Sequence, residues 1–258
     1  MQPADLVASE MVVGPGVRFS VGGALSRSFA VWKRNLPFLL VVAVLAQVPG
    51  FLVSAALPQG GSIFGVGARL QAILDTILGY VAAGLVTVSV LHQLRGRPRE
   101  NRRSLSAGAS QLGPLIGTAI GTSFLSGLLM LLLIVPGVVA LVRWYLVAPI
   151  VIVEPEAQPR RRSAALISGH GWEIFGVLVI LFVAMLIAAA GFGAAGGAVA
   201  AMLGFGLDAD NSVFLDAITA LPGPLFLSFQ CVLQVVFYEQ LRAEKEGADV
   251  GQLTAIFE

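Results

Sequence analysis

The chain has 258 residues, 57% of them hydrophobic and only 12% charged, with a mean hydropathy of +0.87. Soluble domains carry about a quarter charged residues, so this composition leaves too little polar surface for a water-soluble globule and points to a membrane protein. A net charge of +1 gives no sign of a nucleic-acid partner, and the single cysteine, Cys231, excludes an intrachain disulfide and a cysteine-based zinc site.

Residues 1–35 read as a cytoplasmic segment. Within it Val21, Leu25, Phe29 and Trp32 recur at helical spacing among Arg18, Arg27, Lys33 and Arg34. Such a helix lies in the headgroup layer, with Trp32 at the acyl boundary and Arg27 on phosphates. A leader of this length before the first apolar run argues against a cleaved signal peptide. Apolar stretches of about 20 residues, enough to cross a bilayer, then recur. They fall at 36–57, 70–92, 112–135, 138–154, 174–203 and 218–241, the third and fourth forming a hairpin about Pro136-Gly137. Lipid offers the backbone no hydrogen bonds, so these segments are helices, and the absence of strand-like alternation excludes a β-barrel. The expected architecture is an all-α membrane protein with about six transmembrane helices in three hairpins over 36–241. Short cytoplasmic amphipathic helices accompany them, and 242–258 forms a cytoplasmic tail.

Six crossings gather the basic residues on one side. Arg18, Arg27, Lys33 and Arg34 are joined there by Arg95, Arg97, Arg99, Arg102 and Arg103, then by Arg160, Arg161 and Arg162, then by Arg242 and Lys245. The opposite connections hold Arg69 with Asp208, Asp210 and Asp216. The positive-inside rule therefore places both termini in the cytoplasm. The pair "SFAVWKRNLPFLL" and "SGHGWEIFGVLVI" also suggests a repeat that sets Ser28 against Ser168 and Trp32 against Trp172. Arg160, Arg161, Arg162, His170 and Trp172 then read either as topological anchors or as a surface for phospholipid headgroups.

"APIVIVEPE" at 148–156 and "RSAALISGHGWEIF" at 162–175 resemble a signature of bacterial multi-pass proteins. The family is the membrane domain named for its fusion to glycerophosphoryl diester phosphodiesterases, which also occurs alone. The resemblance rests on Pro149, Glu154, Arg162, Ser163, Leu166, Gly169, His170, Trp172 and Phe175, while Ala164, Ala165 and Gly171 depart from the usual pattern. It implies a six-helix bundle in the bacterial inner membrane, and no catalysis, because the phosphodiesterase is a separate soluble domain.

Arg143 lies inside an apolar run. Counted back from Glu154 along an unbroken helix, it falls about 16 Å into a core roughly 30 Å thick. A charge at that depth needs a partner. Gln47 and Gln230 reach the same depth, as do Thr122 and Ser123; Asp75 lies about 9 Å higher and becomes a counter-ion only if helix tilt and packing close that gap. This polar layer is either interhelical hydrogen-bond glue or a site for an anionic headgroup or small solute. "GFGAAG" at 191–196 is not a dinucleotide motif, since no strand precedes it. Gly193 with Gly197, and Gly117 with Gly121, are spaced for close helix approach and hence for homo-oligomers. Ser163, Ser168 and His170 lack the orienting acid and oxyanion donors of a hydrolase, so no enzyme is expected. His92 and His170 offer no metal-ligand spacing, and no cofactor is expected. Two functions fit: binding or organising phospholipid, or moving a solute or lipid past a midplane site around Arg143.

Overall fold

The computed structural model describes residues 19–56, 66–94, 112–202 and 217–257. Arg18, the basic connection from Arg95 to Arg103, and Asp208, Asp210 and Asp216 lie outside the described residues, as does the His92 side chain. The helices are α1 (Val21–Ala56), α2 (Val66–Leu94), α3 (Leu112–Leu132), α4 (Ile134–Arg143), α5 (Val147–Val153), α6 (Pro159–Ile167), α7 (Gly171–Met202) and α8 (Pro222–Phe257), with no strand among the described residues. Among the described residues, five segments are long and apolar enough to cross a membrane: Val21–Val53, Arg69–Leu91, Ile134–Val153, Gly171–Met202 and Ala217–Glu246. A shorter apolar helix, Gly113–Leu129, lies within α3. The chain is an all-α membrane protein.

One face of α1 is buried along its whole length. Ala24, Ser28, Val31, Asn35, Leu39, Ala43, Ala46 and Gly50 follow one another at steps of three or four, and α2 and α8 pack on that face. The stripe runs unbroken through residue 35, so the expected N-terminal amphipathic segment is the first part of α1 and not a separate interfacial helix. Pro37 and Pro49 lie inside α1 without ending it, as membrane helices tolerate where neighbours resatisfy the freed groups. Among the described residues, α6 is the one expected interfacial helix that stands alone.

The fourth apolar segment is broken. α4 and α5 each carry a proline as their third residue, Pro136 and Pro149. Proline has no N–H, and its ring displaces the carbonyl four residues back, so a helix does not run into it smoothly; within a first turn its missing donor costs nothing. The chain accordingly turns at Leu133, three residues before the expected Pro136-Gly137 hairpin, and turns again over Trp144-Tyr145-Leu146. At this second turn Trp144 N–H donates to the Ala140 carbonyl at 2.9 Å and Val147 N–H to the Trp144 carbonyl at 3.2 Å. Ser163 of α6, fully buried, serves two backbone groups flanking the turn. Its Oγ donates to the Arg143 carbonyl at 2.7 Å and accepts from Leu146 N–H at 3.2 Å. Beyond the turn, Val147 to Val151 are buried, and α5 packs against α2, α3, α6 and α8 as the centre of the bundle.

α6 ends in a type II turn. Ser168 sits at φ −55, ψ 129, Gly169 at φ +94, and His170 N–H donates to the Ile167 carbonyl at 2.9 Å. Gly169 is the only positive-φ residue among those described, which accounts for a glycine there. Lys245 of α8 closes the end of α6, its Nζ donating to the Ala165 and Ser168 carbonyls at 2.6 and 2.8 Å, where a cation suits a helix C-terminus. α7 is apolar all round and mostly unburied, with Ile180, Phe182 and Ile187 exposed, as lipid permits. The suggested repeat does not survive in space. Ser28 is buried and Ser168 exposed; Trp32 donates to Ser228 Oγ at 2.8 Å inside the bundle, whereas Trp172 is 85% exposed.

Replacing Ser163 by alanine strips two buried backbone groups of a partner at about 1–3 kcal/mol each. Denaturation of the purified chain in mixed micelles should show a loss of about 2–4 kcal/mol for Ser163→Ala, against about 1 kcal/mol or less for Ser168→Ala at its exposed position. Equal losses would refute the bridging role.

Candidate functional site

Three features meet where α6 packs on the bundle. The first is a charged cluster between the start of α1 and residues 238–246 of α8. Arg162 grips Glu154 bidentately, its Nε on Oε2 at 2.8 Å and its second nitrogen on Oε1 at 3.1 Å. Tyr238 donates its hydroxyl to Glu154 Oε1 at 2.7 Å and accepts from Arg242 at 3.1 Å. Glu246 pairs with both Arg162 and Arg242. Beside it His170 lies 3.3 Å from Glu244 and 3.4 Å from Glu173, and Phe19 N–H donates to Glu244 at 2.9 Å. The beginning of α1, the beginning of α7 and α8 around Glu244 are thus tied together. Arg27 and Trp32 sit on α1, Arg27 half-buried.

The second feature is a cavity of about 450 Å³ between α2, α3, the α4–α5 turn and α8. Asp75, Tyr80, Thr122, Ser123, Gln230 and Gln234 line it, together with Trp144 and Tyr145 of the turn. Of the residues around it, Asp75, Tyr145 and Gln234 each hold a buried oxygen (Oδ1, Oη and Oε1) without a hydrogen-bond partner among the described residues, Asp75 Oδ1 packing against Gly50 of α1. A smaller cavity of about 230 Å³ on the other side of Asp75 holds Gln47 and Gln71. Glycines admit the polar groups: the Asp75 carboxylate lies against Gly50, the Gln47 amide against Gly223 and the Arg160 guanidinium against Gly121, and a Cβ at any of the three would collide with them.

The expected polar layer is therefore assembled in part. Asp75 and Gln230 share one cavity with Thr122 and Ser123, and Gln47 approaches Asp75 from its far side. Arg143 does not join them. It is exposed and lines a separate depression of about 400 Å³ with Arg160, Arg161 and Trp144. Its depth was counted along an unbroken helix from Glu154, whereas the 144–146 turn redirects the chain and sets Arg143 beside α6. The cation that reaches the polar cavity is Arg160, expected at the headgroup layer. Its Nε donates to Thr122 Oγ1 at 3.4 Å and its guanidinium sits 5.7 Å from the Trp144 ring centroid. The available signal was Gly121-Thr122, a bare backbone beside a hydroxyl on an apolar helix.

Gly193 and Gly196 receive Thr219 and Ile218 of their own chain, while a Cβ at Gly117 or Gly197 would meet open space. Ser163, Ser168 and His170 are engaged separately: Ser163 at the α4–α5 turn, Ser168 with Lys245 and the Ala165 carbonyl, and His170 between two glutamates. No family model, no curated protein and no solved structure matches this chain.

Glu154 gives the cluster a pH signature. Burial alone would raise its carboxyl, but hydrogen bonds from Arg162 and Tyr238 and the charges of Arg162 and Arg242 outweigh burial and hold it below its ordinary value of 4.5. A carboxyl depressed in the folded state stabilises above the unfolded value and loses that contribution as pH falls through the folded one. The stability gap between the wild-type chain and Glu154→Gln should be full at neutral pH and close as pH drops below 4.5. Thermal unfolding across that range checks it; a gap constant with pH would contradict the assignment.

Proposed function

We propose that this is a non-catalytic protein of the bacterial inner membrane, with the charged end and both termini cytoplasmic, that binds anionic phospholipid headgroups at the depression of Arg143, Arg160 and Arg161. One observation carries the reading: the basic residues around α6 divide into two sets. Arg162, Arg242 and Lys245 are committed to Glu154, Glu246 and the α6 C-terminus. Arg143, Arg160 and Arg161 form no ion pair among the described residues, and the other walls of their depression include Pro136, Val139 and Trp144. Guanidinium groups without a carboxylate partner among the described residues, two of them exposed, match beside an apolar wall a phosphodiester that carries acyl chains, and arginine binds phosphate in a bidentate fork. The resemblance at 148–175 supports the same reading, as does the separate engagement of the residues a hydrolase would use. A second reading, passage of a small polar solute, is favoured by the inner cavity and centres on Asp75 and Arg160 instead of Arg143.

Each arginine near an anionic headgroup contributes about 1 kcal/mol, or roughly fivefold in affinity. Native mass spectrometry of the purified chain with added phosphatidylglycerol should show Arg161→Gln weakening retention about fivefold and the Arg143→Gln, Arg161→Gln pair roughly 25-fold. Arg162→Gln should lower stability and leave retention unchanged. Equal weakening by Arg162→Gln would overturn the division.

A further inference from the structure

Three helices build the arginine depression: α3 through Leu129, α4 through Pro136, Val139 and Arg143, and α6 through Arg160 and Arg161. No carboxylate is among its described walls. Its volume of about 400 Å³ suits a whole headgroup, since small-molecule sites run from about 300 to 1,000 Å³. The three guanidinium groups are held unlike one another. Arg160 is fixed toward α3, its Nε on Thr122 Oγ1 at 3.4 Å and its charge 5.7 Å from the Trp144 ring centroid. Arg161 is the next residue of α6, and successive helical residues point about 100° apart, so the two forks diverge. Arg143 comes from α4 and, like Arg161, is exposed. A single phosphodiester carries one negative charge and two free oxygens. It can neither accept a bidentate fork from diverging arginines nor balance three cations.

The apolar surface beside the cations is doubled as well. On α4, exposed Val135 and Val139 precede Arg143 at steps of four and share its face. On α3, Phe124, Leu128 and Leu132 are exposed at the same spacing, next in sequence to the Leu129 wall. We infer that the depression is a site for a four-chain lipid whose head joins two phosphodiesters, the chemistry of cardiolipin. Arg143, Arg160 and Arg161 share its two phosphates, and the acyl chains lie along the two stripes. The inference rests on the anionic-lipid reading and narrows it. Joining the phosphates makes engagement of the second an intramolecular step, which strengthens binding without any new kind of contact. Basic pockets between membrane helices suit such head groups.

The test uses the full chain in detergent with cardiolipin, phosphatidylglycerol and phosphatidic acid of matched acyl chains, followed by native mass spectrometry and by thermal shift. Cardiolipin should be retained about tenfold or more over phosphatidylglycerol, beyond the roughly twofold that two equivalent phosphates give by number alone. Phosphatidic acid concentrates its charge on one phosphate and should stay near phosphatidylglycerol. Arg161→Gln, at an exposed position without an ion pair among the described residues, should leave lipid-free unfolding unchanged and shrink the cardiolipin preference to about twofold. Cardiolipin within about twofold of phosphatidylglycerol, cardiolipin matched by phosphatidic acid, or a preference untouched by Arg161→Gln would each overturn the two-phosphate site. Those outcomes leave the anionic-lipid reading standing as long as phosphatidylglycerol retention depends on Arg143 and Arg161. Saturable binding of none of the three lipids would overturn both.

Discussion

The Ser163 hydroxyl reaches across the interruption in the fourth apolar segment, to the Arg143 carbonyl on one side and the Leu146 N–H on the other. A break in a buried helix exposes backbone groups that lipid cannot serve, and its persistence depends on whatever serves them. The same hydroxyl draws α6 against the bundle, and the consequences spread from there. Successive residues of a helix point about 100° apart, so the arginine triplet cannot act as one patch. Arg160 turns toward Thr122 and Trp144, Arg161 faces outward, and Arg162 takes Glu154. The turn itself contributes Trp144 to the inner cavity and to the arginine depression, and Tyr145 to the inner cavity.

The charged end is held by shared acceptors. Glu154 serves Arg162 and Tyr238, and Glu246 serves Arg162 and Arg242, so each carboxylate ties α8 to the segment that follows α5. Deeper in the bundle the polar side chains are accommodated differently, by glycines on the facing helix that leave room for a carboxylate, an amide or a guanidinium. Close approach through small residues is the usual means of packing apolar helices; Gly50, Gly121 and Gly223 apply it to polar contacts. Ionic pairing at one end and glycine-backed polar groups within leave Arg143 and Arg161 as the exposed cations near α6.

Much of the architecture was legible because it follows from length and hydropathy: an apolar run near 20 residues in a chain this poor in charge has few alternatives to a helix. Proximity in sequence puts Arg160, Arg161 and Arg162 all within reach of Glu154, and only packing decides that Arg162 takes it. Depth was not legible. It was counted at a constant rise, and a turn of three residues removed Arg143 from the layer in which that count placed it. Pro149 held the clue, since a proline in the first turn of a new helix marks a break before it. The apparent repeat failed because similar local sequence met unlike neighbours: α8 offers Ser228 to Trp32, whereas Trp172 faces outward. The inner cavity was only half legible. Asp75 and Gln230 stood out as polar residues in apolar runs, but Arg160 reaches the site through tertiary packing that no spacing encodes.

A double-mutant cycle between Pro149→Ala and Ser163→Ala tests the capped break most directly, read as unfolding free energy in mixed micelles. If Pro149 causes the interruption and Ser163 supplies the groups it frees, removing the proline lets the helix close on itself, and the serine loses much of its importance. The cost of Ser163→Ala should then fall by about 1 kcal/mol or more in the Pro149→Ala background. The same cost in both backgrounds would show that the two residues act independently, and would contradict the capped break.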